Sequence, residues 1–201
     1  MTKSIILSKY LDETTGKQIK ITIDKYEEYL KKKDKENIAK FIYHRLHGRY
    51  LKPFDFDDKD YEKYFKNVFA IMANCCLLIE TLESFKNGWG DSNNKSRKAF
   101  TQFFKNDKNF SELKDKGNEF YESIRCGILH QGETTNGYVL NKKGVALFDT
   151  ASKSINAYIF SKKMEKSLED YKNILIKSEW DSEVWDNFRT KMRKIIENCK
   201  S

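Results

Sequence analysis

From Asp58 to about Phe85 the apolar residues fall at helical intervals: Tyr61, Tyr64, Phe65, Val68, Phe69, Met72, Cys75, Cys76, Ile79 and Leu82. Recurrence at i, i+3 and i+4 is the mark of a helix that buries one face. Between Ala70 and Ile79 the apolar character covers most faces, so this helix is expected at the centre of a core. Such a helix needs other amphipathic helices around it. The rest of the sequence supplies them.

Ile38, Phe41, Ile42, Leu46 and Tyr50 give a helix over 35–51, ended by Pro53 and the acidic cluster at 55–58. Asp24 reads as the cap of an earlier helix that starts near Tyr26. Ser96 to Phe104 carries Phe100, Phe103 and Phe104; these rings could stack bases, but their helical spacing reads as core. A helix opening at Ser111 takes in Phe120, Ile124 and Ile128 and stops at Gly132. Two more helices are expected, from Ser154 to about Lys177 and from Ser182 to Asn198.

Two stretches break the helical pattern. Ile5 to Leu7 and Ile19 to Ile23 are β-prone and flank a turn-like Asp12–Gly16, which suggests a hairpin. Tyr138 to Leu140 and Val145 to Phe148 flank Asn141-Lys-Lys-Gly144 and suggest another. The expected organisation is a short β or extended segment over 1–23, then one helical domain over 24–201 with a hairpin near 137–149. A single Pro and nine Gly among 201 residues argue against loop-dominated or many-turned β folds. The expected class is therefore mainly α: a helical bundle with short β-hairpin decorations.

The chain carries a formal net charge of +8, and 14% of it is aromatic, which suits a basic, folded chain better than a disordered tail. The longest nearly apolar run, Phe69 to Ile79, is too short to cross a bilayer as a helix. The N-terminal stretch lacks the core of a signal peptide. Cys75, Cys76, Cys126 and Cys199 show no C-x-x-C spacing, so neither a zinc site nor a disulfide framework is expected. These features lead to an expectation of a cytoplasmic protein that uses neither membrane nor cofactor.

Arginine and histidine are scarce, with six of the former, against 32 Lys, and three of the latter. Even so, one of each falls in Arg125-Cys126-Gly127-Ile128-Leu129-His130. A guanidinium presents fixed donors and a permanent charge to a phosphate. An imidazole exchanges a proton near neutrality. Together they meet the two needs of RNA cleavage by the 2′-hydroxyl: removing its proton and offsetting charge on the phosphorane. No metal is required. On an ideal helix, residues five apart point roughly 140° from each other. Convergence would need a deformed helix or a second copy of the chain. Gly127, between them, would let a backbone or a phosphate come close.

A second cluster lies at His44-Arg45-Leu46-His47-Gly48-Arg49. His44 and His47 have no acidic or cysteine ligand at a matching offset, so no metal site is expected. Arg45, His47 and Arg49 read as a basic face, solvated or in contact with RNA.

The R-x4-H arrangement on a helix of a small helical chain resembles the signature of the HEPN superfamily, an Arg followed after four to six residues by a His. The resemblance implies a HEPN-like bundle that commonly dimerises. It further implies a metal-independent endoribonuclease of toxin–antitoxin or antiviral-defence systems, with a possible antitoxin or defence-complex partner. Arg125 and His130 would be its catalytic pair. The residue after the Arg is often Asn, Asp or His in active members, and here it is Cys126. The alternative reading is a non-catalytic helical module that binds RNA or protein; a zinc-dependent hydrolase is a third.

Overall fold

The computed structural model of the protein describes residues 4–12, 15–55 and 67–200. Its fold is mainly α with short strands. The chain divides into two compact units that share the sequence between them: 1–49, 85–91 and 168–201 in the first, 50–84 and 92–167 in the second.

The first unit begins with the expected hairpin. β1 (Ile6–Leu11) pairs antiparallel with β2 (Gln18–Thr22), Lys9 opposite Lys20, with an irregularity between Ile6 and Ser8. Gly16 turns the chain at φ +65, and its N–H donates to the Asp12 carbonyl. The helix α1 (Ile23–Lys31) starts earlier than expected because Thr22, not Asp24, is its cap: the Thr22 hydroxyl accepts from the Lys25 N–H. Asp24 sits in the first turn, where a carboxylate favours the helix dipole. α2 (Lys35–Tyr50) matches the expected helix and buries Ile38, Ala39, Phe41, Ile42 and Leu46. The core of this unit also holds Phe85, Tyr171, Trp185, Phe188 and Met192. Trp185 satisfies its indole N–H on the Leu175 carbonyl at 3.1 Å.

In the second unit the long apolar helix is α3 (Val68–Lys86). The earlier part of that expected helix, with Tyr61, Tyr64 and Phe65, lies outside the described residues. By length and composition alone α3 could cross a membrane; most of it is buried, with Met72, Cys75, Cys76, Ile79 and Leu82 enclosed in the fold. α4 (Ser96–Asn106) follows. Its Phe100, Phe103 and Phe104 are core, not a stacking surface: each is at most 1% exposed. Phe104 lies 4.9 Å from the Phe120 ring and 5.7 Å from that of Phe110, in the range of favourable aromatic pairs.

The helix expected from Ser111 starts later. Residues Lys108–Leu113 form a 3-10 turn whose start is capped by Asp107, and helix resumes as α5 (Gly117–Phe120). A side chain at Gly117 would stand 2.6 Å from the Thr101 Cα and 2.9 Å from the Phe100 carbonyl oxygen, so the backbones touch there.

The segment 137–149 is not a hairpin. β3 (Val139–Asn141) and β4 (Phe148–Asp149) do not pair with each other; both pair with β5 (Ser154–Asn156), the first parallel and the second antiparallel. Residues 154–156 were expected in the helix that follows. Asn156 explains the difference: its side-chain oxygen accepts from the Tyr158 and Ile159 N–H groups, which starts the helix after it. That helix runs Ala157–Lys177, and the last described helix runs Glu183–Lys200.

Phe104→Ala should remove the centre of the phenylalanine cluster and cost about 3–5 kcal/mol. A denaturant titration reads this as a lowered midpoint; an unchanged midpoint would mean the cluster does not organise this unit.

Candidate functional site

From Gly117 to Gln131 the chain is one helical run in three parts: α5, a π turn over Tyr121–Cys126, and α6 (Gly127–Gln131). A π turn closes i to i+5 and so takes in one residue more per hydrogen-bonded turn than regular helix. Here its deformation is tied to the loop that follows. The Ser123 carbonyl accepts from the Thr135 N–H at 2.9 Å, and the Ser123 hydroxyl accepts from the Asn136 amide at 2.9 Å. The Cys126 thiol, five residues on from Tyr121, and then burial raise the phenol pKa.

Arg125 closes the π turn. Its Nε donates to Glu80 Oε1 on α3 at 2.8 Å, with the two side chains only 17% and 9% exposed. The other carboxylate oxygen of Glu80 accepts from the Ser96 hydroxyl at 2.9 Å. Burial by itself pulls the guanidinium pKa down, but the Glu80 hydrogen bond and charge outweigh it, and the pKa stands raised. The Tyr121 ring lies 5.7 Å from the Arg125 guanidinium and 5.0 Å from that of Arg97. Arg97 in turn is paired with Glu122 at 2.5 Å, and that hydrogen bond raises its pKa.

His130 is in the last turn of α6 and is exposed. The helix stops at Gly132, as expected, with φ +69. Among the described residues no hydrogen bond or ring contact joins His130 to Arg125: the arginine is held inward on Glu80 and the imidazole faces solvent. The space beside Gly127 is taken by the chain itself. A Cβ there would lie 2.5 Å from the Glu133 carbonyl oxygen, so the close approach allowed by glycine serves the backbone of the following loop.

The basic segment of α2 belongs to the other unit. Its residues do not form one face. Arg45 is buried and its guanidinium donates to the Leu7 carbonyl. His44 stacks on Tyr10 with centroids 4.1 Å apart, and His47 stacks on Tyr43 at 5.4 Å. Arg49 is exposed and, with Arg45 and His44, lines a cleft against β1; His47 does not line it. Among the described residues no three His, Cys, Asp or Glu converge as a metal set. All four cysteines are free thiols; burial pushes Cys75 up to about 12 and Cys76 well above the ordinary thiol range.

The residues that sequence reasoning missed are Glu80, Ser96, Arg97 and Tyr121. Glu80 did carry a signal. It is a carboxylate inside the most apolar helix of the chain, and such a group is rarely buried without a cation.

Glu80→Ala should leave the Arg125 guanidinium without its counter-charge and destabilise the protein by about 3 kcal/mol, with much of that recovered when Arg125 is also made apolar. Chemical denaturation of the two single variants and the double variant measures this coupling. Gly127→Ala should cost about 1–3 kcal/mol by the same measurement, because the Glu133 carbonyl must move. No family model matches the chain, and neither a curated protein nor a solved structure is similar to it.

Proposed function

We propose that the protein is a metal-independent endoribonuclease of HEPN type, in which Arg125 and His130 act on one phosphodiester. His130 takes the proton of the 2′-hydroxyl. The 2′-oxygen then bonds to phosphorus, the bond to the 5′-oxygen breaks, and that oxygen leaves with a proton given up by an imidazolium at position 130. Arg125 offsets the charge on the phosphorane. The observation that carries this reading is the state of Arg125. It is pre-positioned by Glu80 at 2.8 Å, keeps its charge, and retains partial exposure on the same helical run that presents an exposed His130. Two copies of the chain, as in a homodimer, would supply two imidazoles and two guanidinium groups to a shared cleft. A role in toxin–antitoxin or antiviral defence, with a partner that restrains the activity, follows from the same reading.

A second reading has its own support. Arg125 is paired with Glu80, and among the described residues no hydrogen bond joins it to His130. Both features suit a non-catalytic helical module that binds RNA or protein, with Arg125 serving the fold.

His130→Ala separates the two readings. The side chain is exposed, so its loss should leave the unfolding midpoint in place. Purified protein incubated with total RNA and EDTA should cut it, and His130→Ala should lower the rate by about 10²-fold or more. Absence of cleavage by the parent, with salt-sensitive RNA binding retained, would favour the binding module. Arg125→Ala is expected to lose cleavage as well, but it also strands the buried Glu80. Its result is therefore read beside Arg125→Lys, which keeps the charge and loses the fixed fork.

A further inference from the structure

A groove of about 510 Å³ lies between α1 and the last helix, Glu183–Lys200, both in the first unit. That volume falls within the range of small-ligand sites, about 300–1,000 Å³. The last helix turns one face to the groove: Asp186, Arg189, Thr190, Arg193 and Glu197 line it at steps of three and four residues. Leu30 and Ile196, with the Tyr26 ring, give it an apolar wall.

Tyr26 is the unusual member. Its side chain is only 2% exposed, and its ring lies 5.8 Å from that of Phe41. Among the described residues its hydroxyl makes no hydrogen bond. Burial raises the phenol pKa, while Arg189 and Arg193, the two guanidinium groups of the groove, pull it down. The hydroxyl is thus within reach of both cations. A buried donor without a partner is costly, and a ligand that accepts from it removes that cost.

The charges around the groove reduce to one of each sign. Asp186 is paired with Arg189 at 2.5 Å, and Glu197 lies 3.6 Å from Lys194. Arg193 reaches only the Thr190 hydroxyl, at 3.0 Å. Glu27 makes no hydrogen bond or ion pair among the described residues. A carboxylate on α1 and a guanidinium on the last helix are left over. Both are exposed, both line the groove, and they are not bonded to each other.

We propose that this groove binds a zwitterion with a large apolar body, an α-amino acid between leucine and tryptophan in size. Its carboxylate accepts from Arg193 and from the Tyr26 hydroxyl. Its ammonium donates to Glu27, and its side chain lies against Leu30 and Ile196. A simple acid would leave Glu27 unmet, and a simple amine would leave Arg193 and Tyr26 unmet. The inference is independent of cleavage at His130: that residue belongs to the second unit, and the readout here is binding.

Titration calorimetry on the full chain tests it with L-leucine, L-phenylalanine and L-tryptophan. Two analogues of phenylalanine, 3-phenylpropionate and phenethylamine, each lack one of its charges. Phenylalanine should bind about tenfold more tightly than either. Tyr26→Phe keeps the ring against Phe41 and should weaken phenylalanine about tenfold. Glu27→Gln should bring phenylalanine down to the affinity of 3-phenylpropionate and leave that acid unchanged, a selectivity that a merely structural role would not show. Thr190→Trp, which fills the groove, should abolish binding, and Lys20→Ala, exposed on β2, should change nothing. Equal affinity for phenylalanine and either analogue would overturn the zwitterion assignment. The site itself fails if none of the three amino acids binds, or if Tyr26→Phe and Glu27→Gln together leave binding unmoved. It fails also if Thr190→Trp dissociates a dimer of the chain, since a second copy would then be the occupant.

Discussion

A carboxylate buried in an apolar helix must find a cation, and Glu80 finds Arg125. This constraint fixes the register between α3 and the helical run 117–131, because an ion pair out of contact by one turn would leave two desolvated charges uncompensated. Ser96 completes the arrangement from the start of α4. Three helical segments therefore meet at one carboxylate, and the Arg125–His130 stretch is placed by that meeting. Phe100, Phe104 and Phe120 are buried in the same unit and add apolar burial to it.

Much of the fold was legible because helical periodicity is a strong signal wherever a helix buries one face. α2, α4 and the two C-terminal helices lie close to the expected ranges. The N-terminal hairpin was legible from its β-prone runs and its turn. What was not legible was pairing between distant residues. Val139–Asn141 and Phe148 look like partners because they are neighbours in sequence, yet both are claimed by Ser154–Asn156. A parallel pair leaves no turn signature between its strands, and the strand in the middle is only three residues long.

The candidate site was legible in its residue types and not in its geometry. A lone Arg and His among many Lys can be seen in a string. That the arginine would be turned onto a buried glutamate, and that the turn before it would open to π geometry, depends on packing between segments 45 residues apart. Arg45 makes the same point from the other unit. A residue that reads as part of a charged surface is instead an internal tie to β1, and its neighbours His44 and His47 both lie against Tyr43, His44 stacking on Tyr10 as well.

The π turn carries a consequence for how this sequence can vary. Regular helix would need one residue fewer between Tyr121 and Cys126. The π turn takes in the extra residue with little net rotation, whereas regular helix over the same six residues would swing everything after it by about 100° relative to α5. The face that now shows an imidazole to water would be swung elsewhere, and the loop from Gly132 would meet a different side of the helix. Substitutions that return this hexapeptide to regular helix are thus the ones the fold resists, because the wider turn is what aims the end of the helix.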